Sequence, residues 1–162
     1  MPIHVIRHGF STANNRDNIG RLAFAAKDAP LEEDGIKQAK KRAATLSRDY
    51  GIDPKTTPAA VSYLLRTKQT AQVMGFRPIT PYESLNEVEH GMELLALRAL
   101  LDKGRLPETA LRAAEAVLHK RPTQKVWVAH GLIIAGLCEV LGISGEFDRL
   151  IPRFCEVRAL PI

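Results

Sequence analysis

Two stretches, IHVIRHG at residues 3–9 and KVWVAHG at residues 125–131, decide how this chain folds. Each is a short apolar run ending in His-Gly, and apolar runs bounded in this way read as strands buried on both faces of a parallel sheet. They set His8 and His130 at the carboxyl ends of two strands, where open α/β sheets hold their ligands. After the first strand, GFSTANNRDN is rich in small and polar residues and predicts a loop. Ile36, Ala39, Ala43 and Leu46 then recur at the three-to-four spacing of an amphipathic helix, from about Glu32 to Arg48, with Gly51 as its stop. AAVSY predicts a short strand, and TKQTAQVM a helix that stops before Gly75 and Pro78. ITPYESLNEVEHG predicts a short strand, limited by Pro81, running into an exposed loop. Two helices follow, Glu93 to Leu101 and Glu108 to His119, parted by the breakers of DKGRLP; they form a helical insert over about residues 92–121. LIIAGLCEVLG predicts a buried helix ending at Gly142, and FCEVRAL a last strand. This alternation predicts one α/β domain over residues 1–162, a three-layer α/β/α sandwich around a mainly parallel sheet.

The length of 162 residues and the apolar content of 45% suit a single domain with a real core. No apolar run approaches the roughly 18 residues of a membrane span. The opening MPIHVIRHG lacks the charged start and long apolar middle of a signal peptide. The expectation is a soluble, cytoplasmic protein with no membrane partner. Cys138 and Cys155 have neither metal nor redox spacing and read as buried thiols. The 23 basic against 18 acidic residues give a net charge of +5, which favours anionic partners. The basic residues are dispersed through stretches such as KQAKKRAATLSR without aromatic interleaving, so they read as a solvated helix face and not as a nucleic-acid surface. No HExxH or paired-cysteine arrangement points to a metal. Nothing in the sequence sets the oligomeric state.

The polar residues at the strand ends have a common chemistry. Arg7 and Arg66 are permanent cations whose planar forks match phosphate oxygens, and Asn14 adds an uncharged donor from the adjacent loop. A histidine nucleophile must present one neutral ring nitrogen while the other is held as a donor. His8 is the better candidate, because Gly9 removes a side chain that would crowd an approaching phosphate. His130 opens a helix whose free N–H groups, that of Gly131 included, favour an anion. A leaving alkoxide needs a proton and an attacking water must lose one, so a single carboxyl group serves both steps; Glu87 and Glu89 are the candidates. His4, His90 and His119 lie outside this set.

These residues fall into ordered blocks. VIRHGFSTANN resembles the RHG-x-S-x-x-N opening of the histidine phosphatase superfamily, also called phosphoglycerate mutase-like, at Arg7, His8, Gly9, Ser11 and Asn14. PLEEDGIKQA resembles its helix-leading segment, and SYLLRTKQTA its S-x-x-x-R-x-x-Q-T-A block at Ser62, Arg66 and Thr70. LNEVEHG resembles the family's LNE loop and selects Glu87 over Glu89, while VAHG supplies His130. The resemblance implies a two-step reaction without metal or cofactor. His8 takes the phosphoryl group, Glu87 protonates the leaving oxygen, and water hydrolyses the phosphohistidine in a pocket of Arg7, Arg66, His130 and Asn14. The implied partner is a small phosphate ester or a phosphorylated protein side chain. Val88 stands where mutases tend to carry an arginine, and the chain is short for a mutase, so hydrolysis is favoured over isomerisation. A non-catalytic phosphate-binding protein is disfavoured by intact His8 and Glu87. Phe10 stands where an acidic or polar residue is common; it reads equally as a core residue or as a substrate contact, which would favour an apolar or aromatic leaving group. Phe10, Ser11, the loop after Asn14 and the helical insert are the candidate specificity elements.

Overall fold

In the computed structural model, which describes residues 2–15 and 28–162, the two apolar runs are neighbouring parallel strands. The chain order is β1 (Ile3–Arg7), α1 (Glu33–Tyr50), β2 (Ala59–Val61), α2 (Leu65–Met74), β3 (Ile79–Pro81), α3 (Leu94–Asp102), α4 (Glu108–His119), β4 (Val126–Ala129), α5 (Gly131–Val140) and β5 (Val157–Leu160). The sheet order is β3-β2-β4-β1-β5. β1, β2, β3 and β4 are parallel, and β5 closes the edge antiparallel to β1.

Side chains alternate across a strand, so each register feeds two cores. Val5 pairs with Trp127 and Ile6 with Val128. Val5, Trp127 and Ala60 face α4 and α5, meeting Ala114, Ile133 and Leu137. Ile6, Val128 and Val61 face the opposite layer, meeting Ala39 and Leu46 of α1 and Ala71 and Met74 of α2. Both faces are covered, which is why the strands read as unbroken apolar runs and not as alternating ones. The architecture is the expected α/β/α sandwich.

Two strands are shorter than their sequence predicts. β2 ends at Val61 because the Ser62 amide donates to Thr67 Oγ1 at 3.1 Å, which turns the chain toward α2. FCEVRAL pairs only from Val157, because Cys155 sits in the left-handed region at φ 57° and breaks the extended run. The predicted loop after β1 holds a 3-10 turn at Thr12–Asn14, and its continuation over residues 16–27 lies outside the described residues. No described helix is long and apolar enough to cross a membrane.

Candidate active site

The carboxyl ends of β1, β2 and β4 lie side by side, and each delivers part of one buried cluster. β1 ends in Arg7 and His8. The turn after β2 carries Ser62, and α2 carries Arg66 in its first turn. β4 runs into His130, which starts α5.

His8 is 2% exposed, and its Nδ1 lies 2.6 Å from the Gly9 carbonyl oxygen. A carbonyl only accepts, so Nδ1 carries the proton and Nε2 presents its lone pair. The Arg66 Nε–H donates toward that lone pair at 3.4 Å. Burial, then the charges of Arg66 and Arg7, hold the His8 ring well below the ordinary histidine pKa, so it is neutral at neutral pH. The His130 ring stands edge-on to it, with centroids 5.0 Å apart. His130 Nε2 lies 2.8 Å from Ser62 Oγ, which is itself 2.8 Å from Thr67 Oγ1. Burial, with His8 and the two arginines nearby, also pushes the His130 pKa down.

Arg7 Nη1 donates to the Pro152 carbonyl at 2.7 Å, and its guanidinium lies 4.1 Å over the Phe154 ring. Burial lowers its pKa to about 10, partly opposed by Glu87, and it stays a cation near neutrality. Gly131 makes this placement possible. A Cβ there would stand 2.9 Å from Ile151 Cγ2 and 3.3 Å from Arg7 Nε. Glu87 accepts from the Val88 amide at 2.9 Å and the Leu132 amide at 3.4 Å. Burial raises its pKa, although those amides and both arginines pull the other way. Glu89 is exposed.

Arg7 Nε, Arg66 Nη1 and His130 Nδ1 are buried and have no hydrogen-bond partner. Leaving a buried polar group unsatisfied costs about 1–3 kcal/mol, and more when it is charged. All three belong to residues of the cluster that holds His8, whose ring senses both arginines and stands edge-on to His130. A fourth, His4 Nδ1, belongs to a ring packed edge-on against Tyr50 nearer the other end of β1, outside this cluster.

Other sequence candidates lie close by with different neighbours. Asn14 Oδ1 accepts from the Ser11 amide at 3.2 Å and the Ser11 hydroxyl at 2.7 Å, so Ser11 is a buried brace of the loop. No hydrogen bond joins Asn14 to the cluster among the described residues. Phe10 packs edge-on against Phe154 at 5.6 Å. The expected reason for Gly9 is corrected. The space its Cβ would take is filled by the Gly35 carbonyl at 2.6 Å, so Gly9 admits the first turn of α1 and not the phosphate. Its amide donates to Thr70 Oγ1 at 3.0 Å. Cys138 and Cys155 are buried free thiols. Phe154 and the Pro152 carbonyl escaped the sequence reading, because a single aromatic between Arg153 and Cys155 has no periodic signature. Among the described residues no three His, Cys, Asp or Glu side chains gather as a metal site.

A family model for the histidine phosphatase superfamily (branch 1) matches residues 3–99, from β1 through most of α3. No curated protein matches the chain. Among solved structures, the protein TTHB049 from Thermus thermophilus superposes with a TM-score of 0.67 at 20% identity, covering 99% of this chain and 94% of that one. The phosphoserine phosphatase of Entamoeba histolytica in complex with 3-phosphoglyceric acid gives 0.60 at 18% identity, covering 95% and 87%. A mutant of that phosphatase in complex with phosphoserine gives 0.59 at 18% identity, with coverages of 95% and 87%. At these identities the likeness is one of fold.

Proposed function

The chain belongs to the histidine phosphatase superfamily, and from that premise we propose that it is a phosphomonoesterase working through a phosphohistidine on His8. The observation that carries this reading is the set of three unpartnered buried atoms, Arg7 Nε, Arg66 Nη1 and His130 Nδ1, on neighbours of a histidine whose other ring nitrogen is already committed. A phosphoryl dianion satisfies all three. His130 donates from Nδ1 when its Nε2 accepts the Ser62 hydroxyl proton in their 2.8 Å bond.

In the first step His8 Nε2 attacks phosphorus, forming the N–P bond as the ester P–O bond breaks, and Glu87 gives its proton to the leaving oxygen. The Gly9 carbonyl stabilises the positive charge that develops on the ring. In the second step the Glu87 carboxylate takes a proton from water, whose oxygen attacks phosphorus and breaks the N–P bond. Inorganic phosphate leaves, and both His8 and Glu87 return to their starting states. Arg7 and Arg66 hold the charge that grows on the phosphoryl oxygens, a role worth about 10²–10³ in rate for a single preorganised donor. No step calls for a metal or cofactor.

Small phosphate esters, or a phosphorylated protein side chain, are the substrates this site fits. The Entamoeba enzyme's phosphoserine and 3-phosphoglyceric acid complexes on a similar fold support that class. Val88 is 8% exposed in the core, so its position offers no cation to retain a phosphorylated intermediate, which favours hydrolysis over isomerisation. The free thiols suit a reducing compartment such as the cytoplasm. A phosphate-release assay over a panel of esters, with and without chelator, tests the reading. Release unaffected by chelator is expected. Loss with chelator, or an isomerised ester in place of inorganic phosphate, would contradict it.

A further inference from the structure

A cleft of about 510 Å³ lies between two segments that continue those carrying Glu87 and holding Arg7. One wall is α3, which follows the loop carrying Glu87 and contributes Leu94, Leu97 and Leu101. The other is Leu150 and Ile151, in the segment whose Pro152 carbonyl holds Arg7. Ile151 and Arg7 Nε both lie against Gly131, so the Ile151 wall of the cleft adjoins the Arg7 guanidinium. The second wall is preformed, because buried Arg158 donates to the Leu150 carbonyl at 3.1 Å and the Arg149 carbonyl at 2.7 Å.

The lining has a definite chemistry. Five aliphatic side chains make the walls, and Leu94 is still 43% exposed there. Apolar surface left open beside a reactive site is surface for a ligand to cover. Arg98, Arg149 and Asp102 complete the lining, giving two cations against one carboxylate. Neither guanidinium has a carboxylate within ion-pair distance among the described residues. A volume of about 510 Å³ is in the range of pockets that enclose whole small molecules, and is far more than a short polar alcohol fills.

We propose that this cleft receives the leaving group, and that the preferred substrate is a phosphate monoester of a bulky, mainly apolar alcohol carrying a second anionic group. The inference rests on the phosphatase reading above. The ester oxygen lies between phosphorus and Glu87, the apolar body covers the leucines, and the second anion meets Arg149 and Arg98.

The test compares kcat/KM for phosphate release from naphthylethyl phosphate, a carboxylated naphthylethyl phosphate and phosphoserine. All three are esters of primary aliphatic alcohols, and the ammonium group of phosphoserine makes its alcohol the better leaving group, so reactivity alone would favour phosphoserine. The carboxylated ester is expected to be best and phosphoserine worst, the two differing by about tenfold or more. Leu94→Glu, at a half-open position that tolerates a charge, is expected to lower the ratio of naphthylethyl phosphate to phosphoserine roughly tenfold. Arg149→Ala is expected to bring the ratio of carboxylated to plain naphthylethyl phosphate toward one. Phosphate release with equal kcat/KM for the three esters, or ratios that neither variant moves, would overturn this inference and leave the phosphatase reading standing. No release from any ester would overturn both.

Discussion

Arg158 and Arg66 are both buried in this molecule, and they are held in opposite ways. Arg158 is 1% exposed with its guanidinium fully engaged. Nε bonds the Glu156 carboxylate at 2.6 Å, Nη1 and Nη2 bond the Leu150 and Arg149 carbonyls, and Phe147 lies 4.2 Å beneath it. Arg66 is 4% exposed, yet its Nη1 has no partner and its Nε reaches only the lone pair of His8 at 3.4 Å. The first is a strut that fixes residues 149–150. The second is a buried charge with no carboxylate in contact, steadied only at longer range by Glu87 and Asp28, and an arriving anion would repay it. Burial alone does not separate structural from functional arginines; hydrogen-bond satisfaction does.

The largest expected effect lies at the centre of the unsatisfied region. His8→Ala is expected to lower kcat/KM by at least about a thousandfold while the thermal midpoint shifts by only a few degrees. Steady-state assays beside calorimetry check this, and comparable turnover in the variant would remove the covalent step. The two arginines themselves come next. Arg66→Met is expected to cost about 10²–10³ in turnover yet leave stability unchanged or improved, because it removes a buried cation whose Nη1 has no hydrogen-bond partner and which no carboxylate touches. Arg158→Met is expected to do the reverse. It frees the Leu150 and Arg149 carbonyls and leaves the Glu156 carboxylate to Arg153 alone, costs about 3 kcal/mol of stability by denaturant titration, and reduces activity only through a loosened 149–152 segment. Equal destabilisation by the two substitutions would break the comparison.

Smaller effects sharpen it. Glu87→Gln is expected to slow turnover about a hundredfold, and more for poor leaving groups. The first step needs His8 unprotonated and Glu87 protonated. Burial and the arginines lower the His8 pKa, so the acid limb of kcat/KM should lie below the ordinary histidine range. Burial raises the Glu87 pKa, so the alkaline limb should lie above the ordinary glutamate range. Activity is therefore retained at mildly acidic pH, and Glu87→Gln should abolish the alkaline limb alone. A pH series on both proteins checks the assignment. The smallest effect is binding without chemistry. Inorganic phosphate at about a hundred times its Kd should stabilise the wild type by about 2.7 kcal/mol in thermal-shift experiments, and Arg66→Met should abolish most of that gain.

The sequence made the sheet and most of the cluster legible for a simple reason. β1 and β4 are buried on both faces and so announce themselves as apolar runs, and His8 and His130 are fixed one residue beyond them. Arg66 and Glu87 became readable through block spacing, since each follows a short strand by a fixed turn. What stayed hidden depends on distant chain crossing. Phe154 reaches Arg7 because Cys155 adopts a left-handed backbone while its amide donates to the Arg7 carbonyl at 2.9 Å, and no local pattern encodes that pairing. Gly9 was legible as a necessary glycine but not for its actual neighbour, Gly35, which only the docking of α1 brings to it. Nothing in FCEVRAL sets Arg158 apart, and its bonds to the Leu150 and Arg149 carbonyls are visible only in the fold.

The most direct test is to mix enzyme with a hydrolysable ester, quench in alkali within the first turnover, and map the phosphoryl group by mass spectrometry. An alkali-stable, acid-labile phosphoryl group on the peptide containing His8, absent from the His8→Ala protein, is the predicted result. Steady release of phosphate with no such adduct, or an adduct on another residue, would contradict the account.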